Sequence, residues 1–113
     1  MDLNPGMSAR VLDATAVRAR VILHNIANQN TPGYKRYRVS FEEQLRAARD
    51  SGGDVSAVRP VVERDMSGAP GENNVSVQNE LALLEKVTLL HELFTRRVGG
   101  YYKHLNTAIR GQG

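Results

Sequence analysis

The sequence predicts an all-α fold: two long terminal helices packed lengthwise as a coiled-coil-like core, joined by a loop-rich middle with short helical and extended inserts. Apolar residues recur at alternating spacings of three and four near the N-terminus, and again over a longer run toward the C-terminus. Between the two runs, Gly and Pro break every long pattern. The divisions fall at residues 1–36 (helix and turn), 37–74 (middle) and 75–113 (long helix), with the first and last sharing one core.

In the first helix, from Met7 to about Asn28, the seam is Ala9, Leu12, Ala16, Ala19, Leu23 and Ile26. Ala16 and Ala19 at its centre let a partner helix approach closely, while Arg10, Asp13, Arg18 and Arg20 lie off it as a solvated or inter-subunit face. The helix then has to stop. Asn28 and Asn30 tolerate left-handed backbone, Pro32 lacks an N–H and Gly33 allows positive φ, so the chain turns before Tyr34.

The middle carries Gly52, Gly53, Pro60, Gly68, Pro70 and Gly71. Phe41 to Arg49 has room for about two helical turns, and Val58 to Val62 reads as a short extended piece that Pro60 confines to a sheet edge or to no sheet. A connection this long is expected to be disordered or to find its structure on a partner.

A second helix is expected to start at Ser76, an N-cap residue behind Asn73 and Asn74, with Glu80 near the positive end of its dipole. Its stripe runs Leu83, Val87, Leu90, Phe94, Val98, Tyr101, Leu105 and Ala108, and Glu92 and Arg96 have the spacing of an i, i+4 pair. Gly99 and Gly100 interrupt the pattern and suggest a kink or a close crossing. Leu81, Leu84, Leu89 and Leu93 fall off the stripe, so one partner helix leaves them exposed and the chain reads as completed by assembly.

Fifteen Lys and Arg against twelve acids give a net charge of +3, too small to choose between nucleic acid, acidic lipid and an acidic protein surface. The absence of Cys excludes disulfides, thiolate nucleophiles and Cys-based metal sites. His24, His91 and His104 lack metal-ligand spacing, and no nucleophile motif or phosphate loop is present, so no enzyme, cofactor or metal is expected. Residues 1–7 lack the basic and apolar regions of a signal peptide, and no segment approaches the roughly 20 apolar residues of a membrane span. Tyr34 to Arg38 interleaves aromatics with cations, which suits single-stranded nucleic acid, but a packing segment after the turn is the stronger reading. Phe41 and Leu45, at i and i+4, suit either a groove or packing on their own subunit.

The segment Asn25-x-Ala27-Asn28-x-x-Thr31-Pro32-Gly33-Tyr34-Lys35-Arg36, close behind an N-terminal helix, resembles the signature of bacterial flagellar rod and hook proteins. A second block, from Asn74-Val-Ser-Val77 through the last helix, shares the resemblance. The short length, and Tyr102-Lys-His-Leu105 followed by Asn-Thr-Ala-Ile109, look like the proximal rod branch of that family. Leu90-His-Glu-Leu-Phe94 stands where another rod branch carries a Ser-Tyr-Gln-Ala-Asn-like run, and that other branch is the alternative. Arg96-Arg97 and Gly99-Gly100 depart from the usual pattern. The resemblance implies a structural subunit of the basal-body rod in the periplasmic space, exported through the flagellar type III apparatus without a cleaved signal peptide. Its partners would be copies of itself and other rod and basal-body subunits, with no nucleic acid and no membrane insertion. It also implies that Phe41 and Leu45 form a candidate export-gate segment, and that Leu12, Ala16, Ala19, Leu23, Ile26 and the second stripe serve assembly.

Overall fold

In the computed structural model the elements follow as α1 (Pro5–Ala27), β1 (Tyr37–Ser40), α2 (Glu42–Asp50), a 3-10 turn (Val55–Ala57), β2 (Val61–Arg64) and α3 (Val77–Arg110). The structure describes the backbone of residues 5–110 and the side chains of 6–100 and of Thr107; Tyr101, His104, Leu105 and Ala108 lie outside the described side chains. The chain is mostly helical, and α3 is the long terminal helix expected.

α1 and α3 run antiparallel against each other. Thr15 Oγ1 lies 2.8 Å from His91 Nδ1, and farther along Asn25 Nδ2 lies 3.3 Å from Glu80 Oε2, which places the two helices side by side for roughly 15 Å at least. The face of α1 turned into the chain is not the aliphatic seam. Ser8, Ala14, Thr15, Ile22 and Asn25 are buried, whereas Ala16 and Leu23 are exposed and Leu12, Ala19 and Ile26 half-buried. The buried stripe is thus displaced by about one position, roughly 100° around the helix. The cause is directional: Thr15 and Asn25 have fixed polar partners, while Leu and Ala are attracted to any apolar surface.

On α3 the expected stripe is kept in part. Val87 is buried and Leu90, Phe94 and Val98 half-buried, but Leu83 is exposed, and Leu84, expected outside, is half-buried. Leu81, Leu89 and Leu93 are exposed as expected. α3 runs through Gly99-Gly100 without interruption. Glu92 and Arg96 do not form the expected ion pair among the described residues.

The middle departs most from expectation, and it corrects the all-α assignment. β1 and β2 form a two-stranded antiparallel sheet with Tyr37 opposite Arg64, Arg38 opposite Glu63, Val39 opposite Val62 and Ser40 opposite Val61. Pro60 stands just before β2, where no ladder N–H is needed. α2 forms where two helical turns were expected, and Glu42 and Glu43 in its first turn suit the helix dipole. Phe41, buried at the head of α2, packs with Ala14 and Val58, and Val11, Leu45 and Ala48 surround that cluster. Arg18 adds an ion pair to Glu42. The segment expected to be disordered or ordered by a partner is therefore ordered on α1 of the same chain.

Candidate functional site

The corner after α1 begins as a Thr31-Pro32-Gly33-Tyr34 turn in which Tyr34 N–H donates to Thr31 O at 3.2 Å and Gly33 has φ +72°. A type II turn requires positive φ at the third position and favours Pro at the second, as found here. No described non-Gly residue has positive φ, so Asn28 and Asn30 do not use left-handed backbone. Asn28 acts through its side chain instead: Nδ2 donates to His24 O at 2.9 Å, covering a carbonyl at the end of α1, and Oδ1 accepts from Thr31 Oγ1 at 3.1 Å.

Beneath the turn lies a buried polar network centred on Asn25, which is fully buried in the last turns of α1. Its Oδ1 accepts from Tyr37 N–H at 2.9 Å and from Tyr34 Oη at 3.0 Å. Its Nδ2 donates to Tyr37 O at 2.8 Å and to Glu80 Oε2 at 3.3 Å. The amide has two donors and two acceptor positions, and all are used. Because it engages both the N–H and the C=O of Tyr37, the side chain of α1 holds the first residue of β1 as a neighbouring strand would.

Glu80, in the first turn of α3 and 1% exposed, receives Arg36 Nε at 2.6 Å on its other oxygen. Arg36 Nη1 continues to Asp65 Oδ2 at 3.1 Å. Burial would lower the Arg36 pKa, but the hydrogen bonds and charges of Glu80 and then Asp65 outweigh it and raise the guanidinium above its ordinary value. The Ser67 hydroxyl and backbone N–H, and then Arg36, hold the Asp65 carboxyl down at about 2. Burial pushes the Tyr34 phenol up against the opposing charge of Arg64.

Two adjacent asparagines close the site from the far side. Asn73 Nδ2 donates to the carbonyls of Asn28 at 2.9 Å, Gln29 at 3.2 Å and Thr31 at 2.8 Å. Asn74 Oδ1 accepts from Arg36 N–H at 2.6 Å, and its Nδ2 donates to Asp65 O at 2.6 Å. The buried Lys35 ammonium donates to Ala69 O at 2.8 Å and Ser67 O at 3.3 Å, tying the loop before α3 to the corner. On the sheet, Arg64 lies 4.1 Å from the Tyr37 ring centroid as its cross-strand neighbour, and Arg38 pairs with Glu63 at 3.3 Å.

Of the residues expected at the corner, Asn25, Asn28, Thr31, Pro32, Gly33, Tyr34, Lys35 and Arg36 converge there, whereas Ala27 is exposed on α1. Phe41 and Leu45 sit apart in the α2 cluster. Sequence reading includes Tyr37 in the Tyr34 to Arg38 packing segment and places Glu80, Asn73 and Asn74 at the start of α3, but it misses the part of these three in the corner, and it misses Asp65. The pair of side-chain amides just before a helix cap, and the Asp65-x-Ser67 turn pattern, are the signals that point to them.

No protein-family profile matches the chain. Along nearly its whole length it is similar to the flagellar basal body rod protein FlgB of Aquifex aeolicus, at 31% identity over 99% of this chain and 98% of the relative. It is also similar to the FlgB of Borreliella burgdorferi, at 26% identity over 91% of this chain and 93% of the relative. The FlgB of Bacillus subtilis is 28% identical over 88% of each.

Proposed function

Since this chain belongs to the flagellar basal body rod protein FlgB family, we propose that it is a structural subunit of the proximal rod, without catalytic activity, that transmits torque in motility. The similarity to the Aquifex aeolicus relative over both chains carries the reading. Residues 1–36 and 75–113 then act as one coiled-coil-like core that polymerises with copies of itself and with other rod and basal-body subunits in the periplasmic space. The exposed Leu23 on α1 and Leu81, Leu83, Leu89 and Leu93 on α3 supply apolar faces for those neighbours. The corner supports a mechanical role because Asn25, Arg36 and Glu80 bind one another and the chain's own backbone, linking the end of α1, the sheet and the start of α3.

Delivery through the flagellar export apparatus fits the same reading. Phe41 is buried and Leu45 packs beside it, so an export gate that reads this pair would meet it only in the unfolded chain. The nucleic-acid alternative loses support from the engagement of Lys35, Arg36 and Arg38 by acceptors of the chain itself.

The test is deletion of the gene, followed by isolation of basal bodies and measurement of swimming. Rods and motility are expected to be lost and to return with the complementing gene, the chain then co-purifying with basal bodies. Normal rods in the deletion strain would overturn the reading.

A further inference from the structure

We propose that residues 66–72 form a strap that opens and closes separately from the paired helices α1 and α3, with the buried Lys35 ammonium as its clasp.

The strap lies between the end of β2 and the approach to α3, and both of its ends are fixed. At the first end, Asp65 N–H donates to Arg36 O at 2.9 Å and the Asp65 carboxylate takes the Arg36 ion pair. At the other, the Asn73 amide is held by the carbonyls of Asn28, Gln29 and Thr31. Between the two ends every residue from Met66 to Glu72 is exposed. Met66, the one large apolar side chain among them, is 69% exposed, so the strap has no apolar anchor.

What holds its middle is polar. Lys35 Nζ donates to Ala69 O at 2.8 Å and to Ser67 O at 3.3 Å, and Asn74 Nδ2 reaches the same Ser67 O at 3.2 Å. Inside the strap, Glu72 N–H donates to Ala69 O at 3.1 Å across Pro70 and Gly71, the pattern of the Thr31 to Tyr34 turn repeated. The strap therefore carries its own turn and can move as one piece.

Lys35 is the more constrained partner. It is 6% exposed, it forms no ion pair among the described residues, and its described acceptors are the two strap carbonyls. A charge taken out of water needs such acceptors, and a segment without apolar burial needs such a donor. When the strap lifts, the flexible stem carries the ammonium into water and both carbonyls are hydrated, so no group is left buried and unpaired. Segments with few buried apolar contacts open locally, below the cost of global unfolding. Ser67 also walls a polar cavity of about 280 Å³ bordered by Arg36, Asn79 and Glu80, so the lifted strap admits solvent to the Arg36–Glu80 ion pair.

Amide exchange of the purified full chain in low urea tests the separation. Glu72 N–H is expected to exchange at a rate independent of urea, as a local opening does, while exchange of Tyr37 N–H, held by Asn25, speeds up with urea. Lys35→Met keeps an apolar stem and removes the clasp. It is expected to raise Glu72 exchange, and cleavage after Glu72 by a glutamyl endopeptidase, at least ~10-fold, with Tyr37 exchange changed less than ~3-fold. Gly68→Ala leaves Lys35 in place but sets a Cβ on exposed backbone at φ +84°, and is expected to move the same two strap readouts in the same direction. Loss of folding in Lys35→Met, or an equal rise at Tyr37, would make Lys35 part of the core and overturn its role as a clasp. So would unchanged Glu72 exchange and cleavage in that variant. Equal urea dependence at Glu72 and Tyr37 in the unsubstituted chain would mean that the strap opens only when the core does.

Discussion

Asn25 concentrates the constraint at the corner, because a single amide satisfies two backbone groups of Tyr37, the Tyr34 hydroxyl and Glu80. Asn25→Ala leaves several buried groups unpaired and is expected to lower stability by about 3 kcal/mol or more in urea unfolding, whereas Ala27→Ser, on the exposed side, is expected to stay within about 0.5 kcal/mol. Gly33 is the one corner residue at positive φ, and Gly33→Val is expected to cost on the order of 1–2 kcal/mol and to block rod assembly in a complementation assay. Normal rods with that variant would remove the turn from the assembly mechanism. Asp65 adds a pH dependence. Its folded pKa of about 2 lies below the roughly 3.9 of an unfolded Asp, so its contribution is present above about pH 4 and disappears as pH falls toward 2. An acid titration of unfolding is expected to show that loss, and Asp65→Asn to flatten it.

Among the elements, α1 shows how far periodicity reaches. Its pattern identifies a helix and an aliphatic seam, but within the chain that seam is turned away by about one position, and the polar residues Thr15 and Asn25 face α3 instead. A hydrophobic count cannot reveal this, since the orientation depends on partners distant in sequence. The sheet was legible only in part: the extended piece expected at Val58 to Val62 overlaps β2 at Val61 and Val62, whereas β1 carries too few alternations to read and is held by Asn25 as well as by β2. α2 was legible from Phe41 and Leu45, and Phe41→Ala is expected to cost about 3 kcal/mol and to undock α2, read as lost hydrogen-exchange protection over 42–50. In α3, a Cβ at Gly99 or Gly100 meets nothing within 4 Å. Gly99→Ala and Gly100→Ala are each expected to stabilise the isolated chain by about 1 kcal/mol, measured thermally. A neighbour that approaches closely there would make the same substitutions impair assembly.

The described structure spans 65 × 30 × 17 Å, and among the described residues the buried apolar ones are few: Ala14, Ile22, Tyr34, Phe41, Val58 and Val87. Large aliphatic residues remain on the outside of α1, β2 and α3. On the proposed assembly, association with further copies adds stability, so the melting temperature is expected to rise with protein concentration. Leu89→Glu is expected to flatten that rise if the outer face of α3 supplies the contact.

The helix stop, the Pro-Gly turn and the N-cap at Ser76 follow from local chemistry, because each depends on the backbone allowances of residues a few positions apart. The long stripe on α3 follows from periodicity for the same reason. The buried Asn25–Glu80–Arg36–Asp65 chain does not, since it joins residues up to 55 positions apart whose meeting no local pattern encodes. The inward face of α1 belongs with it, because only packing against α3 selects hydrogen-bonded Thr15 and Asn25 over the more apolar seam beside them.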